Sequence, residues 1–367
     1  MRGCVAGFRF YYFLKIATNA WVMNLVFFQK IKVVLPVCLL IFSCSPPERP
    51  AVAFYYWKTA LKISDFELEK LDSLAVKKLY VRFFDVDWDA LSETVVPVAP
   101  VEIDTTHLSK FEIIPVIFIT NRTFLNAPAG EIAEMAEKVF LKIEKLKDGF
   151  QNGNFTEIQF DCDWTERTAQ AYFSFLKQIK KRLKEETELS ATIRLHQVKF
   201  FEKTGVPPVD RGLLMFYNMG DLDDPATENS ILDLETATAY LQRFDEYPLD
   251  LDVALPVFSW AAVFRDGELI HLIHGVWREN FKKSVYFKTV GEKRFLVNQN
   301  TYLEGYYLYA GDEIRVEEIS PDLLAGAARM LQKVLPPTSR TVSFYHLDSA
   351  LLRRIYTADF EKVLDRF

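Results

Sequence analysis

Short apolar runs alternate with amphipathic segments from residue 51 to the end of the chain. The runs are rich in β-branched and aromatic residues, which is typical of strands, and the segments between them place apolar residues three and four apart, as helices do. The predicted strands are Val52–Trp57, Lys78–Val86, Ile113–Ile119, Glu157–Asp163, Ser190–Leu195, Gly212–Tyr217, Leu251–Phe258 and Thr341–Leu347. The predicted helices are Asp65–Ala75, Glu131–Leu146, Thr165–Leu183, Gln197–Lys203, Leu232–Phe244, Pro321–Leu335 and Ser349–Leu364.

This alternation predicts an α/β fold, and specifically a (β/α)8 TIM barrel that spans residues 51–367. Such barrels typically need about 250 residues plus insertions, and the segment is long enough for both. An open, doubly wound sheet is the alternative. No glycine-rich turn for a dinucleotide follows the first strand, so the barrel is favoured.

Two segments interrupt the regular spacing of strands and helices. Residues 88–111 form an acidic, proline-containing connection between the second and third strands. Residues 261–320 separate the seventh and eighth strands and include Asp266-Gly267, which is a strong signal for a tight β-hairpin. We therefore predict a β-rich insertion at about residues 261–320, beside the mouth of the barrel.

The first 43 residues have the features of an export signal. Lys30 and Lys32 precede an apolar run that ends in Ile41-Phe42-Ser43-Cys44, and this ending resembles the bacterial lipobox. We expect residues 1–43 to be a signal peptide and Met23 to be the true start. An uncleaved membrane anchor is the alternative, although the apolar run is only just long enough to span a bilayer.

Cleavage before Cys44 would make this cysteine the lipidated N-terminus, with residues 44–50 as a tether. The expected location is the bacterial cell envelope, where the lipid on Cys44 makes the membrane a partner. Removal of residues 1–43 takes away five basic residues and no acidic ones, so the formal charge falls from −6 to −11. Nucleic acid is therefore not an expected partner.

The remaining cysteine and histidine residues do not suggest a metal or a cofactor. Cys162 is the one other cysteine after residue 43, and a single thiol cannot build a disulfide framework or a cysteine metal site. His196 has no partner histidine at ligand spacing. We expect neither a metal ion nor an organic cofactor.

Polar and aromatic residues occur at the carboxyl ends of most predicted strands, where TIM barrels bind their ligands. On the fourth strand Asp161 and Asp163 share one face, and apolar residues occupy the other. Two carboxylates inside a covered barrel are unfavourable unless they serve a site or a cation such as Arg194 neutralises them. The other candidate ligand-binding residues are His196, Tyr217, Asn218, Trp260, Asp348 and Trp57.

Four strand ends together resemble family 18 glycoside hydrolases, the chitinases and endo-β-N-acetylglucosaminidases. Asp161-Cys162-Asp163-Trp164 is similar to the fourth-strand pattern D-x-x-D-x-D-x-E of that family. The sixth, seventh and eighth strands are similar at Met215-Phe216-Tyr217-Asn218, Leu255-Pro256-Val257-Phe258 and Tyr345-His346-Leu347-Asp348. The resemblance implies a TIM barrel, a carbohydrate ligand, and a site in which Asp161, Asp163 and Tyr217 occupy catalytic positions.

The sequence departs from the family pattern where the catalytic acid should stand. Ile158 replaces the first Asp, and Thr165 replaces the Glu that protonates the leaving oxygen. Glu166 is out of phase with the inward positions of the strand. These departures favour a pseudoenzyme that binds a glycan. The alternatives are an active glycoside hydrolase with a relocated acid and a structural envelope protein.

A second acidic strand end lies at Asp85, Asp87 and Asp89. We expect these residues to belong to a solvated loop. The alternative is that one of them supplies the missing acid.

Overall fold

The computed structural model describes residues 49–150, 154–282, 284–336 and 340–367. The predicted export signal, the start at Met23 and the lipidation of Cys44 lie outside these residues. Within the described ranges, no helix combines the length and the apolar character needed to cross a membrane.

Eight parallel strands form a closed barrel, so the predicted (β/α)8 fold is confirmed and the open sheet is wrong. Closure follows from the first strand, which pairs with both the second and the eighth. The barrel strands are β1 (Ala51–Tyr56), β2 (Lys78–Asp89), β3 (Glu112–Ile119), β4 (Glu157–Asp161), β5 (Glu188–Arg194), β6 (Arg211–Met215), β7 (Leu251–Pro256) and β8 (Thr341–Tyr345).

All seven predicted helical regions contain helix, although three of them are divided. Helix Asp65–Ser73 begins with a capping box, in which the Ser64 hydroxyl accepts from the Glu67 N–H and the Glu67 carboxylate accepts from the Ser64 N–H. The α-helices are Asp65–Ser73, Asn121–Asn126, Ile132–Lys147, Ala169–Lys180, Leu195–Lys199, Phe201–Thr204, Leu234–Tyr240, Arg278–Lys282, Pro321–Val334, Ser349–Leu352 and Thr357–Leu364. Short 3-10 turns lie at Leu108–Lys110, Ala129–Glu131 and Leu241–Glu246.

The fourth strand has the two chemically different faces that its sequence predicts. Phe160 and Cys162 are buried against the helical layer, and Phe160 packs edge-on against Phe175 of helix Ala169–Lys180. On the other face Gln159 points into the barrel, where its side chain accepts from the Tyr55 hydroxyl and donates to Ser190. The alternation along β4 therefore carries Asp161 to the interior.

The amino-terminal end of the barrel interior is also polar. Glu157 is buried and accepts hydrogen bonds from Lys78 Nζ at 2.9 Å and from Ser190 Oγ at 2.6 Å. The buried Glu157 carboxylate thus has a cation and a hydroxyl as partners within the protein, which compensate for its removal from water.

The β-rich insertion between β7 and β8 is present as predicted. Its antiparallel sheet has a small apolar core of its own, and the turn at Asp266-Gly267 has positive φ at both residues, 52° and 83°, as a type I′ hairpin requires. Its strands are Trp260–Arg265, Glu268–His274, Phe287–Thr289, Arg294–Val297 and Glu313–Glu317, with a separate hairpin of Thr301–Leu303 and Tyr306–Leu308.

The connection between the second and third barrel strands contains strands that the sequence pattern did not predict. Thr94–Val98 pairs antiparallel with the end of β2, and Ala60–Leu61 pairs with Glu102–Ile103. Thr94–Val98 lies at the open edge of this pairing, which is where a strand tolerates a proline such as Pro97.

Candidate functional site

A cleft of about 680 Å³ lies at the carboxyl ends of the barrel strands. Both the barrel and the insertion contribute to its wall, and eight of the nine predicted site residues line it. Those eight are Trp57, Asp161, Asp163, Arg194, Tyr217, Asn218, Trp260 and Asp348. The structure therefore brings these candidates together, and the role of each stays a prediction.

Asp163 and Arg194 form a two-point ion pair at the rim of β4 and β5. Arg194 Nε donates to one carboxylate oxygen, and Nη2 donates to the other at 2.8 Å. Arg194 comes from the neighbouring strand and is 20% exposed, so the pair is partly shielded from water. The planar guanidinium fixes the orientation of the carboxylate and satisfies its charge.

Asp161 lies deeper than Asp163 and has no cation of its own. It is 5% exposed, and its Oδ1 accepts from Thr192 Oγ1 at 2.6 Å. Burial and, secondly, the charge of Asp163 raise the pKa of Asp161 to about 6. Part of the population therefore carries a proton near neutral pH, and in that form Asp161 can donate a hydrogen bond to a ligand oxygen.

Aromatic rings form one continuous wall of the cleft. Tyr217 stacks on Tyr345 with ring centroids 5.4 Å apart, and Trp57 lies 5.7 Å from the other side of Tyr345. Phe258 contacts Tyr217 at 5.9 Å and Trp260 at 5.2 Å. Burial holds the pKa of Tyr217 well above its usual value, so its hydroxyl keeps its proton. Such a wall can pack against the apolar face of a sugar ring.

Thr165, which the resemblance to family 18 glycoside hydrolases aligns with the catalytic acid, lies in the loop between β4 and helix Ala169–Lys180. Thr165 is exposed, its N–H donates to Thr168 Oγ1 at 2.9 Å, and its carbonyl accepts from the N–H of Ala169 at the start of the helix. Glu166 is also exposed, and neither residue is part of the cleft wall. Both residues follow the end of β4 at Asp161 and belong to the connection to the next helix.

The solvated loop predicted at Asp85, Asp87 and Asp89 is wrong, because all three residues belong to β2. A β-bulge between Arg82 and Phe84 shifts the alternation by one residue, so the residues after it lie on the opposite face of the strand from the one that a regular strand would give them. As a result Asp85 lines the cleft, where Arg82 Nε donates to it at 2.7 Å. The alternation of acidic and apolar residues from Asp85 to Asp89 was a usable signal for a continued strand.

His196 is the one predicted site residue that does not line the cleft. We expected it among the ligand-binding residues at the end of the fifth strand, but that strand ends at Arg194 and Leu195 begins a helix. The Arg194 N–H donates to Gln197 Oε1 at 2.8 Å, which fixes this helix start. His196 is consequently exposed on the helix surface.

Asp348 combines a place in the cleft wall with a structural role. Its Oδ1 accepts from the Ala350 N–H at 2.8 Å and so caps helix Ser349–Leu352. Its other oxygen lies 2.8 Å from Lys58 Nζ. Although burial acts in the opposite direction, these partners hold the pKa of Asp348 below its ordinary value.

The insertion fixes the loop that carries Asn218. Asn218 has a positive φ of 54°, and its N–H donates to the Ile231 carbonyl at 2.7 Å. Glu317 accepts from the Ile231 N–H at 3.2 Å and from Ser230 Oγ at 2.7 Å. Glu317 is itself paired with Arg315, and both are fully buried. The sequence analysis did not identify this pair, because no local pattern marks it.

Within the described ranges, no group of three His, Cys, Asp or Glu residues is arranged to hold a metal ion. Cys162 is buried, and burial is the main reason that its thiol pKa lies well above the usual value. The cleft wall itself carries carboxyl, guanidinium, amide and aromatic groups.

The sequence matches no protein-family model and no curated protein. The structure is similar to the spore cortex-lytic enzyme SleL of Bacillus megaterium QM B1551, with a TM-score of 0.56, 14% identity, and coverage of 88% of this chain and 75% of that one. For SleL of Bacillus cereus the TM-score is 0.53 at 15% identity, with coverage of 87% of this chain and 74% of that one. For the family 18 chitinase ChiB of Flavobacterium johnsoniae the TM-score is 0.50 at 10% identity, with coverage of 87% of this chain and 94% of that one. The fold is thus similar to that of family 18 glycoside hydrolases.

Proposed function

We propose that the barrel binds a glycan in its cleft and does not hydrolyse it by the usual family 18 route. The observation that carries this proposal is the exposed Thr165 at the acid position, next to a cleft whose remaining groups suit a sugar. The names of the structural neighbours, chitinases and spore cortex-lytic enzymes, support a carbohydrate as the ligand class.

The cleft offers two kinds of contact to a sugar. Tyr217, Tyr345 and Trp57 provide flat apolar surface, against which a pyranose ring can stack. Asp161 supplies a protonated carboxyl or an acceptor oxygen, and the Asp163–Arg194 pair supplies fixed polar groups at the rim. These groups are held by other residues before a ligand enters, so little ordering is needed on binding.

A binding screen tests this proposal. Purified residues 49–367 would be titrated calorimetrically with chitotetraose, an N-glycan core oligosaccharide and peptidoglycan-derived disaccharide peptides. We expect one of the three to bind, with affinity lost in Tyr217→Ala and kept in the exposed control Glu166→Gln. Failure of all three probes to bind would contradict the proposal and favour a structural role in the envelope.

An active hydrolase with a relocated acid is the second candidate, and one observation favours it. Asp161 has a pKa raised by burial to about 6, which is suitable for a general acid near neutral pH. This alternative predicts shortened oligosaccharide products that disappear in Asp161→Asn and in Asp163→Asn. Binding of intact oligosaccharide without products excludes it for that ligand.

We also propose that the protein is an envelope lipoprotein anchored through Cys44. The support is the sequence alone, namely the basic and apolar run before Ile41-Phe42-Ser43-Cys44. Metabolic labelling with a palmitate analogue in a bacterial host tests it. We expect label in the full-length chain and none in Cys44→Ala, and equal labelling of both would overturn the lipid assignment.

A further inference from the structure

The charges on the cleft wall do not balance. Among the described residues the wall has four carboxyl groups, and three of them are paired with a cation. The ion pairs are Arg82–Asp85, Arg194–Asp163 and Lys58–Asp348. Asp161 is the fourth carboxyl group, so an ionised Asp161 leaves the wall with one negative charge that no cation compensates.

Asp161 also has an oxygen without a partner. Thr192 donates to Oδ1 at 2.6 Å, and in the described part of the chain no donor lies within hydrogen-bond distance of Oδ2. The side chain is 5% exposed and lines the cleft. Arg194 makes its hydrogen bonds to Asp163 instead. A buried carboxylate with an open acceptor and no ion pair suits a ligand that brings both a donor and a positive charge.

The other groups beside Asp161 are neutral. Tyr55, Tyr217 and Tyr345 all have a raised pKa, for which burial is the main cause and the charge of Asp161 a further one. Their hydroxyls therefore keep their protons near neutral pH. The Tyr55 hydroxyl donates to Gln159, whereas Tyr217 and Tyr345 line the cleft. Aromatic rings next to a carboxylate favour a cation over an anion.

Without a ligand, Asp161 avoids the uncompensated charge by holding a proton. Burial and then the charge of Asp163 raise its pKa to about 6, although Arg194 and Thr192 act in the opposite direction. A cation in the cleft would reverse this balance, because the proton then leaves to solvent and the carboxylate pairs with the cation. A hydroxyl or an acetamide brings no charge and cannot do so.

We propose that the glycan of this cleft is an amino sugar with a free amino group, whose ammonium pairs with Asp161. The inference rests on the proposed function, because it names the ligand class of the same cleft. It distinguishes sugars such as glucosamine from N-acetylglucosamine, in which the acetyl group removes the charge of the nitrogen. Acidic sugars are disfavoured, because the cations at the wall are already paired.

A matched pair of ligands tests this proposal. Chitotetraose and its de-N-acetylated counterpart, tetraglucosamine, have the same backbone and length and differ in their acetyl groups. Both would be titrated calorimetrically into the wild type at pH 6 in about 0.15 M salt, which screens the attraction of a cationic ligand to exposed acidic residues. We expect tetraglucosamine to bind about tenfold more tightly, as a charge-assisted hydrogen bond would give.

Two variants assign this preference to one residue. Asp161→Asn keeps an acceptor for Thr192 and removes the charge, so the two tetrasaccharides should bind it with equal affinity. Glu166→Gln is the matched control, because it removes one carboxylate from the exposed surface outside the cleft wall. It should keep the preference of the wild type.

The pH dependence of binding supplies a second measurement. From pH 4.5 to pH 5.5 Asp161 begins to lose its proton, whereas the ligand amines stay protonated, so tetraglucosamine should gain about fivefold in affinity for the wild type. Asp161→Asn should show no such gain. Asp85, Asp163 and Arg194, the charged groups around Asp161, are unchanged in this variant, so the difference isolates Asp161.

The outcomes distinguish the two proposals. Equal affinity of the wild type for the two tetrasaccharides, or a preference for tetraglucosamine that persists in Asp161→Asn, would overturn the amino-sugar assignment and leave the glycan-binding function intact. Absence of binding by both tetrasaccharides, with the other two oligosaccharide probes also unbound, would contradict both.

Discussion

Arg194 donates hydrogen bonds to both carboxylate oxygens of Asp163, across the junction of the fourth and fifth barrel strands. This pair is the feature that separates the roles of the two neighbouring acids. Asp163 has its charge satisfied by a cation, whereas the deeper Asp161 has a hydroxyl partner and a pKa raised by burial to about 6. Asp163 is thus held by two hydrogen bonds from a guanidinium, and Asp161 can hold a proton near neutral pH.

Arg194→Lys should weaken glycan binding while the charge at the site is kept. Lysine cannot make the two parallel hydrogen bonds to Asp163, so we expect a loss of about 1–2 kcal/mol in the binding of chitotetraose, measured by calorimetry. Arg243→Lys is a matched control, because Arg243 contacts Glu246 through two nitrogens on the exposed surface. Equal affinity of Arg194→Lys and the wild type would show that the orientation of Asp163 does not matter for binding.

Asp161→Asn should remove part of the pH dependence of stability. The folded protein holds the Asp161 proton to a pKa of about 6, whereas the ordinary value is 3.8. This contribution is complete below pH 4 and is lost as the pH rises through 6, because the unfolded chain then binds fewer protons than the folded one. From pH 4 to pH 7 the free energy of unfolding of Asp161→Asn should therefore rise by about 2–3 kcal/mol relative to the wild type.

Asp252→Asn offers an independent comparison for the same experiment. Asp252 is buried at the other end of the barrel, and burial raises its pKa to about 6 as well. Denaturant titrations from pH 4 to pH 7 should show the free energy of unfolding of each single variant rising relative to the wild type, and that of the double variant rising the most. A profile for Asp161→Asn that is parallel to the wild type would contradict the burial of a protonated Asp161.

Glu317→Leu should destabilise the protein and displace Asn218. The change leaves buried Arg315 without its carboxylate and removes the acceptor for Ser230 and Ile231, which we expect to lower the free energy of unfolding by about 3–5 kcal/mol. Glu317→Gln keeps a hydrogen-bond acceptor, so its free energy of unfolding should fall by less than that of Glu317→Leu. Chemical denaturation measures both variants, and Glu313→Gln, an exposed change on the same strand, serves as the control.

Binding provides the second measurement on these variants. Because Glu317 holds Ile231, and Ile231 holds Asn218, we expect Glu317→Gln to weaken chitotetraose binding at temperatures where it is still folded. Normal affinity in a destabilised Glu317→Gln would limit this pair to a structural role.

Thr165→Glu should not create a hydrolase, although it restores the family residue. The side chain at this position is exposed and is not part of the cleft wall, so we expect a carboxyl there to remain in solvent rather than to contact a bound sugar. Chromatography of fluorescently labelled chitotetraose after long incubation should show the intact tetramer. Shorter products from this variant, absent from the wild type, would mean that the start of the following helix moves into the cleft.

The barrel could be predicted from the sequence because each strand keeps an apolar pattern over its whole length. The two faces of β4 are an example, since the alternation at Phe160 and Asp161 alone placed one side chain under the helices and the other inside the barrel. Eight of the nine candidate side chains line the cleft because they stand at or just after the carboxyl ends of the predicted barrel strands.

The failures occurred where a hydrogen bond or a bulge, rather than the apolar pattern, decides the local structure. His196 lies in a helix rather than at the end of the strand, because Gln197 accepts a hydrogen bond from the Arg194 N–H and a helix begins at Leu195. Asp85 lines the cleft because of a β-bulge, and no residue type in β2 indicates that bulge in the sequence. Glu317 accepts a hydrogen bond from Ser230, which lies 87 positions away in the chain. No local sequence pattern predicts a contact between residues so far apart.

Product analysis of a saturated complex tests the central claim most directly. The wild-type barrel would be incubated for a day with chitotetraose, or with whichever of the three probes binds, at a concentration that calorimetry shows to fill the cleft. The sugar would then be analysed by mass spectrometry. We predict that the ligand is bound and recovered intact. Recovery of shorter oligosaccharides that are absent after incubation with Asp161→Asn would contradict the claim and identify an active hydrolase.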